Sequence, residues 1–261
     1  MAVALFVPCY IDQFYPDVAI ATLELLERQG LEVVFPSGQT CCGQPMANTG
    51  CSAEAAPVAR RLVELFAEFD QVVCPSGSCT AMVRHHYADY FEPDDPDYQK
   101  VRESTFELCE FLTDVVGVDS LSTRFPHRVS VHQSCHGLRE LRLAASSETR
   151  FGDRRDKLGE LLAKVDGITL TSPQRLDECC GFGGTFAVNE VDVSVAMGRD
   201  RIADHVGSDS EVIVAGDMSC LMHLDGLIRR SGQPITVMHI AQVLMGRPLV
   251  PTNQRQLNSG R

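Results

Sequence analysis

Basic residues and long apolar runs are both scarce in this sequence. It has 23 Lys and Arg against 35 Asp and Glu, which gives a net charge of −12. Nucleic acids and anionic membranes attract Lys and Arg, so this balance argues against both as partners. No apolar run approaches the roughly 20 residues that a membrane-spanning helix needs. The first residues also lack the basic and apolar regions of an export signal, and we therefore expect a cytoplasmic protein.

Common catalytic motifs are missing as well. The sequence has no P-loop, no nucleophile elbow and no Ser-His-Asp pattern, which argues against a kinase or a hydrolase. Gly181-Phe182-Gly183-Gly184 looks like a glycine-rich phosphate loop, but a phenylalanine occupies position 186, where the third glycine would stand. The stretch also follows two cysteines directly. A nucleotide site is therefore not predicted there.

Cysteine, by contrast, is abundant, with 11 residues in a chain of 261. In a reducing compartment, dense cysteine indicates metal binding or catalysis more than a disulfide framework. The odd total also fits poorly with complete disulfide pairing. The function is therefore expected to depend on the thiols.

The cysteines follow an internal repeat. Cys41-Cys42-Gly43 recurs as Cys179-Cys180-Gly181, and in each half a lone cysteine precedes the doublet and a Ser-Cys pair follows it. The spacings are 32, 1 and 37 residues in the first half and 44, 1 and 40 in the second. Two sets of four thiols are what two four-thiolate metal sites need. The predicted ligands are Cys9, Cys41, Cys42 and Cys79 at one site and Cys135, Cys179, Cys180 and Cys220 at the other.

Strand and helix patterns alternate through both halves, which predicts an α/β fold. We expect two pseudo-equivalent domains from the internal repeat, each a mostly parallel sheet flanked by helices. The first is predicted over 1–120 and the second over 126–250, with a polar tail over 251–261 that is expected to be disordered. The pattern also predicts one helix over 103–115 and one long helix over 185–206.

The lone cysteines and the Ser-Cys pairs fall at the predicted ends of strands, and the doublets fall in loops. Because the carboxyl ends of parallel strands lie at one edge of a sheet, each set of four is expected to converge there. Neighbouring side chains in a regular strand point to opposite faces, so both thiols of a doublet reach one site only where the backbone turns sharply. Gly43 and Gly181 follow the doublets and permit such a turn.

Four thiolates suit either an iron–sulfur cluster or zinc. Structural zinc sites commonly use Cys-x-x-Cys pairs, which neither half contains. This favours iron–sulfur and leaves zinc open. The three cysteines without a partner in the repeat, Cys51, Cys74 and Cys109, are interpreted as small buried hydrophobic residues.

Histidines give weaker indications than the cysteines. His132, His223 and His239 lie near predicted sheet ends, where an ordinary structural role is favoured over ligation. His136 directly follows Cys135 and is the one weak candidate for a catalytic residue.

The cysteine motifs resemble the CCG domain, a cysteine-rich domain found in subunits of heterodisulfide reductase, glycolate oxidase and the anaerobic glycerol-phosphate dehydrogenase. The resemblance extends over residues 6–220 and is greatest to the lactate-utilisation members of that family. The matching segments are Phe6-Val7-Pro8-Cys9, Cys41-Cys42-Gly43-Gln44-Pro45, Pro75-Ser76-Gly77-Ser78-Cys79, Ser134-Cys135-His136, Glu178-Cys179-Cys180-Gly181-Phe182-Gly183-Gly184 and Asp217-Met218-Ser219-Cys220.

The resemblance implies an iron–sulfur electron-transfer subunit of a complex that oxidises L-lactate to pyruvate. It also implies 4Fe-4S clusters at the two CCG motifs and two partners, a ferredoxin-type iron–sulfur subunit and a third lactate-utilization protein. Heterodisulfide reductase has a further cysteine where Ser76 and Asp217 stand here, so four thiolates per site are expected rather than five. Some relatives hold zinc at one of the two sites.

Two other functions stay open at this point. The chain could serve another 2-hydroxy acid such as glycolate, or the reduction of a disulfide. Alternatively, both sites could hold zinc, and the chain would then be a structural adaptor without a redox role.

Overall fold

Two compact units, Met1–Val118 and Asp119–Arg261, make up the chain. The computed structural model describes residues 2–147 and 155–250, and the tail predicted over 251–261 lies outside them. Each unit contains one four-stranded parallel sheet flanked by helices. This confirms the α/β class and the internal repeat, whereas the domain limits drawn at 1–120 and 126–250 stay predictions.

The first sheet has the strand order β2-β1-β3-β4. Its strands are short and rich in valine, a β-branched residue that packs well on a pleated surface. Val3 and Val73 are fully buried, as expected for inner strands that are covered on both faces. The four strands are β1 (Ala2–Leu5), β2 (Glu32–Val34), β3 (Val72–Cys74) and β4 (Thr105–Glu107).

The second sheet repeats this order as β6-β5-β7-β8. In both sheets the first strand of the unit pairs with the second and the third, and all pairs are parallel. The same connections therefore place equivalent strand ends at equivalent positions. These strands are β5 (Arg128–Val131), β6 (Thr169–Thr171), β7 (Val212–Ala215) and β8 (Thr236–His239).

Helices connect the strands of the first unit. The helix after the doublet loop presents Leu62 and Phe66 to the core, where the Phe66 ring meets the Phe6 ring edge-on at 5.5 Å between centroids. The α-helices are α1 (Cys9–Phe14), α2 (Pro16–Arg28), α3 (Gln44–Asn48), α4 (Ser52–Phe66), α5 (Gly77–Ala81), α6 (Pro96–Ser104) and α7 (Leu108–Glu110). Wider π-helical turns follow at Met82–His86 and Phe111–Val116, and a 3₁₀ turn at Tyr87–Asp89.

The described helices of the second unit follow the same plan, with a long helix after the doublet loop and another after the third strand. A π-helical turn at His136–Glu140 follows the first strand. The α-helices are α8 (Lys157–Leu162), α9 (Phe186–Asn189), α10 (Val191–Gly207), α11 (Met218–Ser231) and α12 (Ile240–Leu244).

Two predicted helices differ from the structure. The helix expected over 103–115 is wrong in its first part, because Thr105–Glu107 pairs with β3 and completes the first sheet. The long helix expected over 185–206 is divided at Glu190, whose backbone leaves the helical region at φ −119° and ψ 54°. In the first case, pairing with the open edge of β3 outweighed the local helical pattern.

Among the described residues, no helix combines the length and the hydrophobicity that crossing a membrane requires.

Candidate metal centres

The ends of β1 and β3 bring two cysteines of the first set to one edge of the first sheet. Cys9 begins α1 shortly after β1, and Cys79 lies in the first turn of α5 after β3. The Ser76 hydroxyl accepts a hydrogen bond from the Cys79 backbone N–H at 3.3 Å and so caps α5. Both cysteines therefore stand in the first turn of a helix.

The doublet loop brings the other two thiols to the same place. The Sγ atoms of Cys9 and Cys41 are 3.6 Å apart, and those of Cys42 and Cys79 are 3.4 Å apart. Gly43 turns the chain after the doublet with φ +83°, a conformation that glycine adopts without strain. The four cysteines that the repeat assigned to the first set thus lie together.

Further hydrogen bonds fix the doublet loop of the first unit. The Gly43 N–H donates to Cys41 Sγ at 3.4 Å. The Tyr87 hydroxyl donates to the Cys42 carbonyl oxygen at 2.9 Å. Tyr87 is fully buried, so the π-helical and 3₁₀ turns after Cys79 serve to hold the loop that carries Cys41 and Cys42.

The second set is built in the same way. Cys135 precedes the π-helical turn after β5, and Cys220 lies in the first turn of α11 after β7. The thiols of Cys135 and Cys179, of Cys179 and Cys180, and of Cys180 and Cys220 are close enough to shift one another's pKa values, and the Sγ atoms of Cys180 and Cys220 lie within 4.8 Å of each other. Gly181 has φ +86°, and its N–H donates to Cys179 Sγ at 3.4 Å.

Burial follows the repeat too. In each set, the second cysteine of the doublet and the cysteine after the third strand are buried, and the other two are half-buried. The buried members are Cys42, Cys79, Cys180 and Cys220. Each set therefore has an inner pair of thiols held by the core and an outer pair that faces towards solvent.

The hydrogen bonds among the thiols move their pKa values in opposite directions. Cys41 accepts from the thiols of Cys42 and Cys9, which lowers the pKa of Cys41 to about 3. The bond to Cys41, together with burial, raises the pKa of Cys9. In the second set, the bond from Cys135 is the largest cause that lowers the pKa of Cys179. Negative charge is thus concentrated on the first cysteine of each doublet, where a bound cation would be favoured.

The donor atoms of each set fit a metal group. All 11 cysteines lie in the described part of the chain, and none forms a disulfide. Four soft thiolate ligands gathered at one point suit an iron–sulfur cluster or zinc. The backbone N–H groups of Gly43, Gly181 and Phe182 point to thiol sulfurs, as donors that surround metal-bound thiolates do.

The cysteines outside the two sets have different surroundings. Cys51 is exposed before α4, while Cys74 and Cys109 are completely buried. The Cys74 thiol nevertheless hydrogen-bonds that of Cys79 and lies beside the first set. The contact arises because Cys74 ends β3 and Cys79 lies in α5, the next element of the chain.

His136, the weak catalytic candidate, lies next to Cys135 in the π-helical turn. Its Nε2 atom is 3.6 Å from the Glu140 carboxylate, and both side chains are about one-third exposed, at 32% and 31%. The catalytic role of His136 stays a prediction.

His132 is a residue of the site to which the sequence pattern gave only an ordinary structural role. One of its ring nitrogens lies with the Sγ atoms of Cys180 and Cys220 in a group whose members are all within 4.8 Å of one another. His132 is fully buried, and burial lowers its pKa to about 3. A comparison of the two halves could have found it, because Phe6 stands at the same distance before the lone cysteine in the first half.

Comparison with known families gives a match over both units. The model of the CCG family, a cysteine-rich domain, matches residues 3–84 and again residues 129–225. The two matches include all eight cysteines of the two sets.

Similar proteins match over nearly their whole length. One is "Lactate utilization protein A" of Exiguobacterium sp., which is 42% identical over 93% of this chain and 96% of its own. Another is the protein of the same name from Halalkalibacterium halodurans, at 40% identity over 94% and 96%. A solved structure, a substrate-binding protein of a sugar ABC transport system from Bordetella parapertussis, is 15% identical over 92% of this chain and 68% of its own, with a TM-score of 0.31.

Proposed function

The chain belongs to the CCG family of cysteine-rich proteins, and on that basis we propose that it is an iron–sulfur electron-transfer subunit of a complex that oxidises L-lactate to pyruvate. The observation that carries the proposal is the gathering of four thiols at the same edge of each of two equivalent sheets. Lactate is proposed as the substrate because the two relatives described above are named for lactate utilization. We propose 4Fe-4S clusters at both sets.

The inner and outer thiols would have different tasks in such a centre. The buried members, such as Cys42 and Cys180, would hold the group against the core, where burial limits access of water and oxygen. The half-buried members, such as Cys41 and Cys179, would leave one side open to a redox partner. When bound, a 4Fe-4S cluster supplies one-electron redox chemistry, with a potential set by its surroundings.

We propose that electrons pass between this chain and a ferredoxin-type iron–sulfur subunit, with a third lactate-utilization protein completing the complex. Half-buried thiols at both sets support exchange with another protein. A cytoplasmic location is part of the same proposal, because thiols in these numbers persist as ligands in a reducing compartment. Co-purification of the three proteins from the cytoplasmic fraction checks both points.

The site for lactate itself is proposed to lie in the complex rather than in this chain alone. His136 is the one group here that we would test as a base. His136→Ala, assembled with its partners, should lose lactate oxidation if the imidazole takes a proton from the substrate. Full activity of that variant would remove His136 from the mechanism.

The first experiment is the content of iron, acid-labile sulfide and zinc per chain, in protein purified without oxygen. About eight iron and eight sulfide per chain are expected for two 4Fe-4S clusters with four thiolates each. Growth of a deletion strain on lactate and on glycolate identifies the substrate, and we expect growth to fail on lactate only. Zinc alone would contradict the electron-transfer proposal.

A second candidate has one specific observation in its favour. His132, Cys180 and Cys220 form one group, and imidazole and thiolate are the ligands that structural zinc sites use. This candidate requires the His132 proton to lie on Nδ1, so that Nε2 has a lone pair for the metal. With zinc at the second set, about four iron and four sulfide would remain with one zinc. The chain would then carry one redox centre and one structural site.

A further inference from the structure

His132 approaches the second set of thiols with an unsatisfied nitrogen. Its side chain is fully buried, and it lies within 4.8 Å of the sulfurs of Cys180 and Cys220. Among the described residues, no group forms a hydrogen bond with Nε2. A buried polar atom without a partner is costly, and this one belongs to a side chain that lies beside the second candidate metal centre.

Arg201 determines which nitrogen of the ring carries the proton. Its Nε donates to His132 Nδ1 at 3.2 Å. A guanidinium is always protonated and offers only donors, so Nδ1 must accept. In a ring whose Nδ1 accepts, the proton is on Nε2. Nε2 therefore has no lone pair for a metal, and it can act only as a hydrogen-bond donor.

Arg201 is itself held in one orientation. Its Nη1 donates to the Asp204 carboxylate at 2.9 Å and also to the carbonyl oxygen of Arg175. The Asp204 carboxylate in turn accepts from the backbone N–H groups of Gln174 and Arg175 at 2.9 and 3.0 Å. The same contacts tie α10 to the loop that leads to the second doublet, so the tautomer of His132 is fixed by the fold.

The first unit has no such arrangement. Phe6 takes the place of His132, three residues before the lone cysteine, and its N–H donates to Val73 O at 2.9 Å as that of His132 donates to Val214 O at 2.8 Å. With the doublets aligned, Val63 stands at the position of Arg201. Both replacements are apolar and buried. The two centres thus have equivalent thiols, but polar residues stand beside the second centre where apolar residues stand beside the first.

We propose that His132, oriented by Arg201, donates a hydrogen bond from Nε2 to the metal group bound by the second set of thiols and makes the second centre easier to reduce than the first. This inference rests on the proposed function for its redox part. Reduction adds negative charge to the metal group. A hydrogen-bond donor such as His132, whose ring is itself bonded to the Arg201 cation, stabilises that added charge. His132 is a positioning and tuning residue in this proposal, and it is not a ligand.

The test compares reduction potentials in the full-length protein purified without oxygen. His132→Phe copies the residue of the first unit, and His132→Gln keeps an N–H donor. His205→Gln is the matched control, because His205 is equally buried and its Nδ1 is 2.6 Å from Ser130 Oγ, outside the thiol group. The signal that disappears in Cys180→Ser identifies the second centre in a redox titration followed by electron paramagnetic resonance.

We expect His132→Phe to lower the equilibrium constant for reduction of the second centre about tenfold, equivalent to about 59 mV for one electron. The first centre should not shift, His132→Gln should recover part of the loss, and His205→Gln should match the wild type. An unchanged potential in His132→Phe would overturn the proposal. Loss of the second centre's iron in both His132 variants would do so as well, because it would make His132 a ligand.

A second measurement separates this inference from the proposed function. If the purified protein contains zinc and no iron, the proposed function has failed, and the tautomer can still be read in the zinc-loaded protein. Nitrogen-15 spectra should then show the His132 proton on Nε2. A proton on Nδ1, with Nε2 shifted by metal ligation, would contradict the inference.

Discussion

Gly43 and Gly181 share one backbone conformation but have different neighbours. Both have a positive φ after a doublet, which costs an L-residue about 1–2 kcal/mol. A Cβ on Gly43 would meet its nearest atom at an ordinary 3.5 Å, whereas one on Gly181 would come within 2.6 Å of the Ser194 carbonyl oxygen. The second doublet is therefore packed directly against α10.

Alanine at these two positions should consequently have unequal effects. We expect Gly43→Ala to cost about 1–2 kcal/mol from the backbone alone and Gly181→Ala about 1–3 kcal/mol more from overpacking. Metal content and denaturant unfolding of both variants measure this. Equal losses in the two variants would show that the close approach of α10 does not matter.

Glu107, the last residue of β4, should make the free energy of unfolding depend on pH. Its carboxylate is buried, accepts from the backbone N–H groups of Cys109 and Glu110, and has a pKa raised by burial to about 8. The native state thus keeps a proton that the unfolded state loses from about pH 4.5. Because the native state binds more protons, the free energy of unfolding should fall as the pH rises from 5 to 8, by up to about 1.4 kcal/mol per pH unit.

Glu107→Gln should flatten this dependence, since the amide keeps an acceptor and has no proton to lose. Urea unfolding of the wild type and the variant at pH 5, 6.5 and 8 compares the two slopes. Parallel slopes would mean that another group is responsible.

At the scale of elements, α4 and α10 occupy equivalent places but are anchored differently. Helix α10 holds the loop before its doublet through Asp204, whose side chain is only 6% exposed in its pair with Arg201. Helix α4 has Val63 and Phe66 at the positions of Arg201 and Asp204, and its ion pair between Arg61 and Glu64, at 4.0 Å, lies at the surface. Packing against the first sheet, through residues such as Phe66, holds α4 instead.

Asp204→Ala should therefore be severe, because it leaves the Arg201 charge buried without its partner, and we expect a loss of about 3–5 kcal/mol. Arg61→Ala is the control and should change stability by less than about 1 kcal/mol, as exposed pairs do. Thermal unfolding measures both. A small effect of Asp204→Ala would show that water reaches Arg201 when the carboxylate is removed.

The elements also show where sequence patterns are sufficient and where they are not. The strands before the cysteines were predictable, because short valine-rich runs such as Val72–Cys74 end directly at the motifs. The strand at Thr105–Glu107 was not, since its three residues have no alternation and depend on pairing with β3. The division at Glu190 was also missed, because no glycine or proline marks it.

At the scale of the whole molecule, the repeat made most of the candidate site predictable. Duplication alone separates eight cysteines from the other three, because only those eight recur in the same order. It could not reveal the contact between His132 and Arg201, because the two residues are 69 positions apart. The tautomer of His132 depends on that contact and was therefore not predictable either. The exposed state of Cys51 and the contact of Cys74 with Cys79 likewise depend on packing.

Because each set belongs to one unit, the two centres should be lost separately. We expect Cys42→Ser to remove about half of the bound metal, Cys180→Ser the other half, and the double variant nearly all, on the basis of four thiolates per centre. Metal analysis of the three variants tests this. Loss of all metal in either single variant would show that the two centres depend on each other.

The strand order of the first sheet also has a consequence for biosynthesis. All four of its strands, and the four thiols at their ends, are complete by residue 107, and domains generally fold as units, the N-terminal one first during synthesis. In a nascent chain that is stalled after residues 1–118 have left the ribosome, we expect this segment to resist protease. Cleavage of the segment would contradict early folding of the first unit. The first centre could then be filled while the cysteines of the second are still being translated, so the nascent chain would meet its metal donors in two successive events.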